Sequence, residues 1–385
     1  MADPLRILYL AVYDPHVPYT GTGARGGEVV NFFAGRAHVD LVYMEGSGHP
    51  GDPRLEAEFA NRLRGVKSKI RVPFTRRGYF LFSRELLQAA ANLLKEGPYD
   101  VIFADYGLAA RYGAVLSRRF GVPFIYSSHN IEYRQYLGKA GKDPRRWPLI
   151  PYVYCVERKG CTKAVMVVAI SPEEADVYTK WIPGEKIVVV PQGFDAAVFH
   201  PDYPPPENDP KIVLFFGNYR ISTNVDAVRV MRDRIADEIV REFPNVTFQF
   251  VGASPPVELK HPRFEFTGFV DSVVPYLRRA DVVISPMLGG WGMPTKIIEA
   301  LACGKPVVAS PVGARSVPRH YKRLTVTGLD GFSGEVVRAL KQNRPVDAVD
   351  FPALKKDFLW ENRLAELWER MKAVLSASGA GAGGD

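Results

Sequence analysis

Residues 280–310, ADVVISPMLGGWGMPTKIIEALACGKPVVAS, leave few folds open to this chain. Asp281–Ser285 is a short, mostly apolar run, as expected of a parallel strand covered on both faces. Gly289, Gly290 and Gly292 follow, and glycine permits positive φ and close approach by a ligand. Pro294 suits a first helical turn, where a missing N–H costs nothing. Gly304 and Pro306 close the helix, and Val307–Ala309 reads as the next strand. The product is a glycine loop feeding a helix N-terminus at the carboxyl end of a strand. Free amides and a positive dipole end suit a phosphate or diphosphate.

Within that helix Thr295, Lys296, Glu299 and Cys303 share roughly one face, and Ile297, Ile298 and Leu301 take the other. Lys296 can then reach a phosphate, and Glu299 can accept hydrogen bonds from sugar hydroxyls. An ordinary i,i+3 surface pair is the alternative.

The rest of the chain repeats this grammar. Strands are expected at Ile7–Val12, Asp40–Tyr43, Ile70–Val72, Val101–Ala104, Pro123–Ser127, Val165–Ala169 and Lys186–Val190. Helices such as Arg84–Lys95, Gly107–Arg119 and Pro172–Trp181 fall between them, which argues for a parallel α/β sheet. The stretch 199–206, FHPDYPPP, is a stiff connector. A second series follows, with strands at Ile212–Phe216, Thr247–Val251, Phe264–Thr267, Asp281–Ser285 and Val307–Ala309. Asn224 is expected to cap a helix running to Glu242. A last helix, Asp357–Leu375, carries an apolar stripe suited to core packing.

At 385 residues the chain suits two domains. No run of about 18 apolar residues is present, so no membrane span is expected. The acidic N-terminus and its short apolar run do not suit a signal peptide. Three cysteines without a CxxC fit a reducing cytoplasm and argue against a disulfide framework or zinc site. The net charge of +8 favours an acidic partner without choosing among nucleotide sugars, anionic membranes and nucleic acid.

The 280–310 segment resembles the donor-binding region of retaining GT-B glycosyltransferases of family 4. Members commonly carry Glu, seven residues, then Glu before Ala-x-Ala-x-Gly-x-Pro-Val-Val. Here the stretch Glu299–Val308, EALACGKPVV, matches the second half, while Trp291 stands where the first Glu belongs. A glycine-rich loop followed by Lys-x-x-Glu-Ala, as in one subgroup, fits Lys296–Ala300 better.

Weaker matches are spread along the chain. Residues 21–27, GTGARGG, contain GxGxxG, but residues 13–20 separate them from the first strand, which weakens a dinucleotide reading. The resemblance instead places Gly26 and Gly27, expected directly before a helix at Glu28, near the donor. His129, after the Pro123–Ser127 strand, matches a family histidine beside the reacting centre. Its carboxyl-end position also fits a ligand crevice. The stretch Val190–Asp195, VPQGFD, resembles the family hinge. Gly217 ends a strand, and Arg220 is the nearest cation for a donor phosphate. The stretch Phe266–Asp271, FTGFVD, resembles the loop beside the nucleobase. From Glu132 to Lys163 eight basic residues face three acidic ones, a net +5, interleaved with aromatics. This is a solvated basic face or a dock for anionic lipid.

The resemblance implies two facing Rossmann-like domains with a cleft between them and a C-terminal helix crossing back to the first. Expected boundaries are 1–195 with helix 357–375 for an acceptor-side domain, 196–210 for a linker, 211–356 for the donor domain, and 376–385 for a disordered tail. The expected reaction is transfer of a sugar from a UDP- or GDP-linked donor to an acceptor hydroxyl, with retention, in glycan or glycolipid assembly. His129, Lys296 and Glu299 would be catalytic. Gly26, Gly27, Gly217, Arg220, Gly289, Gly290, Trp291, Gly292 and Thr295 would bind the donor. No cofactor is expected, and the absence of Asp-x-Asp argues against a catalytic metal. The partners would be the donor, a glycan or lipid-linked acceptor and an anionic membrane touched peripherally from the cytoplasm, without nucleic acid. A non-catalytic nucleotide-sugar binder and an NAD(P)-dependent oxidoreductase remain open alternatives.

Overall fold

A computed structural model describes residues 4–15, 21–44, 66, 68–72, 82–140, 147–204, 210–290, 292–342 and 347–380. The chain divides into two compact units, Met1–Pro191 with Arg363–Asp385, and Gln192–Asn362.

The first unit is built on a seven-stranded sheet. Its strands are β1 (Arg6–Ala11), β2 (His38–Met44), β3 (Ser68–Val72), β4 (Val101–Asp105), β5 (Phe124–Ser127), β6 (Met166–Ala169) and β7 (Ile187–Val189). The order is β3-β2-β1-β4-β5-β6-β7, and every pairing is parallel. β1, β4, β5 and β6 are buried almost throughout. That is why they read as continuous apolar runs rather than alternating ones. Helices between the strands cover the sheet. Leu86, Ala90, Ala91 and Leu94 of the helix Arg84–Glu96 pack into this core, beside Leu108, Tyr112 and Leu116.

The second unit has six strands, β8 (Lys211–Phe216), β9 (Val246–Val251), β10 (Phe264–Gly268), β11 (Val282–Ser285), β12 (Val307–Ala309) and β13 (Leu324–Val326). The order is β10-β9-β8-β11-β12-β13, again all parallel. The helix Thr295–Ala302 buries Ile297, Ile298 and Leu301 against this sheet, as its apolar spacing predicts. In both sheets the order reverses at the middle, between β1 and β4 and between β8 and β11. Ligands of open α/β sheets bind at the carboxyl ends of strands flanking such a reversal.

Several expected elements differ. The glycines at 21–27 form no loop; the helix Gly21–Ala34 already contains them. A Cβ on Gly26 would lie 2.0 Å from the Tyr13 hydroxyl, so close packing requires glycine there inside a helix. Asn224 is the third residue of the helix Ser222–Val230 rather than its cap. That helix passes through a π segment, Met231–Ile235, before resuming at Ala236–Glu242. The last helical stretch breaks at Leu359, which is extended (φ −67°, ψ 126°) and bridges to Phe194. Phe194 N–H donates to Phe358 C=O at 2.9 Å and Trp360 N–H donates to Phe194 C=O at 3.3 Å. Two helices result, Phe351–Phe358 and Trp360–Ala380, and the second extends through residues 376–380, where a disordered tail was expected. From Arg363 onward this helix counts with the first unit, where Trp368 packs on Phe33 with ring centroids 5.8 Å apart. Among the described residues no helix is long and apolar enough to cross a membrane.

Candidate active site

In the second unit, a cluster of polar groups forms where β8 and β11 end. The Lys296 ammonium donates to Asn224 Oδ1 at 3.1 Å and lies 4.2 Å from the centroid of the Phe215 ring. Asn224 Nδ2 donates to the Asn218 carbonyl at 2.8 Å, which aims its oxygen at the lysine. A Cβ on Gly217 would stand 3.2 Å from Lys296 Nζ, so glycine keeps room beside the ammonium. Lys296 and Glu299 are both partly exposed. Withdrawal from water lowers Lys296 to about 8, with Glu299 opposing the shift. The same withdrawal lifts Glu299 to about 7, opposed by Lys296. Among the described residues no hydrogen bond or ion pair engages the Glu299 carboxylate. The pair is therefore not a surface salt bridge. Each group is short of the solvation or partner that a charge prefers.

The glycine loop after β11 is shaped by its backbone. Gly290 and Gly292 have φ of 156° and 72°, accessible at little cost only to glycine. Arg315 Nη1 donates to the Gly290 carbonyl at 2.8 Å, and Ser310 Oγ donates to Met287 C=O at 2.6 Å. A Cβ on Gly289 would meet nothing within 4 Å. The helix then starts at Thr295, partly exposed, with Pro294 at its N-cap position. Trp291 lies outside the described residues. Arg220 is exposed, and its Nε donates to Ser254 Oγ at 3.2 Å. These loops gather Gly217, Asn224 and Lys296 at one point, while Arg220 is directed to the β9 turn.

In the first unit the histidine that follows β5 is the centre of a buried cluster. His129 is 4 % exposed, and its Nε2 is 2.9 Å from Asp105 Oδ1. Asp105 closes β4 and is wholly buried. Its Oδ2 accepts the Tyr9 hydroxyl at 2.7 Å and also the Tyr13 hydroxyl. Burial by itself would raise the Asp105 pKa, but His129 and these donors hold it well below the usual carboxylate range. The rings of Tyr13 and Tyr106 flank the imidazole at 5.7 and 5.6 Å between centroids. Tyr106 itself has φ of 80°, a costly conformation for a non-glycine residue. Arg25, fully buried in the glycine-bearing helix, donates to the Pro191 carbonyl at 3.2 Å and attracts Asp105.

Gly26 and Gly27 have structural reasons of their own, because a Cβ on Gly26 would overlap the Tyr13 side chain and one on Gly27 would press on the Pro15 carbonyl at 3.0 Å. The sequence did not single out Asp105, Tyr9, Tyr13, Arg25 or Arg315, nor the lysine-binding role of Asn224. Asp105 did carry a signal, an acidic residue closing an apolar strand at its carboxyl end. Among the described residues no group of three His, Cys, Asp or Glu side chains is placed to hold a metal ion.

Two all-parallel α/β units, each with polar groups where its strand order reverses, make this a protein of the GT-B class. Residues 27–198 match the domain model described as Glycosyltransferase Family 4, and residues 210–343 match the one described as Glycosyl transferases group 1. Together the two models span most of the chain, and it belongs to the glycosyltransferases that carry these domains. It is 25 % identical over 316 residues to D-inositol 3-phosphate glycosyltransferase of Frankia alni, covering 74 % of this chain and 72 % of the relative. The enzyme of that description from Mycobacterium tuberculosis is 23 % identical over 388 residues, covering 90 % and 75 %. Among solved structures, HepE of Anabaena, determined in complex with UDP and glucose, superposes with a TM-score of 0.68 at 18 % identity, covering 96 % of this chain and 99 % of that one.

Proposed function

We propose that this glycosyltransferase moves a sugar from a UDP- or GDP-linked donor to an acceptor hydroxyl, with retention at the anomeric carbon. The observation that carries the reading is the Lys296 ammonium, held by Asn224 and the Phe215 ring at the end of β8, one helical turn from an unengaged Glu299. A solvation-starved cation behind a glycine loop and a helix N-terminus gains most from a diphosphate, whose departure needs neutralised charge. Lys296 and the amides of Gly289, Gly290 and Gly292 take that charge in this reading, with Thr295 at the helix start. Arg220 adds a cation from the exposed turn, Gly217 keeps space for the ligand, and Glu299 binds the ribose hydroxyls. His129 contacts the transferred sugar as positive charge develops at its anomeric carbon. The departing phosphate oxygen accepts the acceptor's proton, and no catalytic metal takes part. The UDP-glucose complex of HepE and the D-inositol 3-phosphate in the names of the curated relatives support this chemistry by analogy of fold and family.

The acceptor is proposed to be a glycan or a lipid-linked sugar presented at an anionic membrane. Leu137 and Trp147 are 56 % and 61 % exposed, and they flank Lys139, Lys142, Arg145 and Arg146 in the sequence. Reversing charge at Arg145 and Arg146, which lie outside the described residues, is expected to weaken binding to anionic vesicles.

The test of the main reading is a donor panel of UDP- and GDP-sugars read by thermal shift, product formation and product anomer, with and without EDTA. One donor should stabilise and turn over, EDTA should change nothing, and Glu299→Ala should lower nucleotide-sugar affinity. Unchanged affinity in that variant refutes the ribose role. A donor that binds without ever being consumed would favour a non-catalytic binder.

A further inference from the structure

We propose that Glu157 is a positioning residue for His129: its carboxylate reaches across from the helix Leu149–Lys163 and caps the helix Glu132–Ala140, fixing the short loop that carries the histidine. The proposal rests on the reading of His129 as a sugar contact.

A helix leaves its first amides without internal partners, and Ser, Thr, Asp or Asn just before it usually supplies the acceptor. Here the residue before Glu132 is Ile131, which has no acceptor side chain. The acceptor comes instead from a residue 25 positions later. Glu132 N–H donates to Glu157 Oε1 at 3.0 Å, and Tyr133 N–H donates to Glu157 Oε2 at 3.1 Å. Both oxygens of one carboxylate thus hold two successive amides, a charge-assisted arrangement at the positive end of a helix. Glu157 is 1 % exposed, so water does not compete for it.

The same carboxylate reaches the other end of the loop. Tyr178 donates its hydroxyl to Glu157 Oε1 at 3.0 Å, and that hydroxyl lies 2.6 Å from Ser128 Oγ. Ser128 N–H is tied to the Val168 carbonyl at 2.8 Å, and with the Tyr178 proton directed at Glu157 it is the Ser128 hydroxyl that donates across the 2.6 Å contact. His129 is thereby bracketed. One neighbour is anchored through Tyr178, the following helix starts on Glu157, and the imidazole itself is held by Asp105.

Burial lifts the Glu157 pKa to about 7, against the pull of its two amides, Tyr178 and Arg134. The groups facing it are Glu132 and Arg134 from the capped helix, Glu174 and Tyr178 from the helix Pro172–Tyr178, Tyr126 from β5, and Cys161 on its own helix. From the helix Ala110–Phe120, Arg111 is engaged with Tyr152. Protonation of Glu157 replaces an acceptor by a donor where amides already donate, so the cap weakens as pH falls through neutrality.

The experiment uses the full chain, with hydrogen exchange at 128–136 and UDP-glucose turnover measured from pH 6 to 8 in the wild type, Glu157→Gln and His129→Ala. In the wild type the protection factors of the Glu132 and Tyr133 amides should rise with pH. Glu157→Gln, isosteric but uncharged, should lower them about fivefold at pH 8, as loss of a cap implies, and flatten their pH dependence. It should reduce kcat on the order of tenfold or more with KM for UDP-glucose little changed, because misplacement of a positioned group acts on the chemical step. Wild-type protection, or wild-type kcat while His129→Ala is slow, overturns the Glu157 proposal alone. Wild-type turnover in His129→Ala overturns the histidine reading and this proposal with it. Glu157→Asp keeps the charge and shortens the reach, and serves if the Gln variant fails to fold. It should lower kcat yet retain the pH dependence, and wild-type kcat in it also refutes the proposal.

Discussion

Lys296 shows what one residue's surroundings contribute. Its position behind three glycines made it a phosphate candidate from sequence, but its state depends on Asn224, 72 positions earlier. No local pattern could supply that contact. A lysine lowered to about 8 is near half-charged at that pH, and a bound diphosphate restores the full charge. UDP binding at pH 8 is therefore expected to take up about half a proton. Titration calorimetry in phosphate and in Tris should give different binding enthalpies, and Lys296→Met should erase the difference and weaken UDP binding about tenfold or more. Equal enthalpies in the two buffers would place the phosphates elsewhere. Asp105 could be picked out only as an acid closing an apolar strand; its role was hidden, because its partners Tyr9, Tyr13 and His129 come from two other stretches. Asp105→Asn leaves buried Arg25 short of a countercharge and takes a carboxylate acceptor from two tyrosines, and should cost roughly 3–5 kcal/mol in urea unfolding. A loss under about 1 kcal/mol would mean the carboxylate is not the electrostatic anchor of Arg25.

At the scale of elements, strands were the most legible feature, because burial on both faces leaves an uninterrupted apolar run. β13 was missed: Leu324–Val326 is three residues long, and Thr325 and Val326 are only partly buried, so no run stands out. The glycines at 21–27 were misread for a different reason. Local sequence cannot tell a glycine needed for a turn from one needed for contact with Tyr13. Gly252 and Gly289 separate those uses experimentally. Gly252 has φ of 138°, and its Cβ would lie 2.0 Å from the Gly217 carbonyl, so it lets the ends of β8 and β9 meet. Gly252→Ala combines steric overlap with an unfavourable backbone and should destabilise by about 2–4 kcal/mol. It should also weaken UDP binding, since Gly217 must move. Gly289→Ala meets open space and should leave stability within about 0.5 kcal/mol. Weaker UDP binding in that variant then reports a ligand contact, while unchanged binding removes Gly289 from the site.

For the whole molecule, alternation of strands and helices announced parallel sheets, but not the strand order that reverses beside β1 and β8. Strand order is decided by which faces pack, and that information is spread over the whole chain. Nor did the sequence show that the first unit buries carboxylates at a cost. Burial lifts both Glu157 and Glu174 to about 7. A carboxylate raised in the folded state lends stability that is complete below its unfolded pKa, near 4.5, and is lost as pH rises through about 7. The order of magnitude is 2–3 kcal/mol for each, less where the two repel and share one proton. The cap on the histidine loop requires Glu157 charged, so positioning that loop and stabilising the fold oppose each other near neutrality. The thermal midpoint is accordingly expected to fall by several degrees between pH 6 and 8. Glu174→Gln removes one of the two ionisations and leaves both amide bonds to Glu157 in place, and should flatten that slope while raising the midpoint at pH 8. A midpoint that rises from pH 6 to 8, or a variant with the wild-type slope, would mean that these carboxylates are already ionised at pH 6 and that the fold bears no such cost.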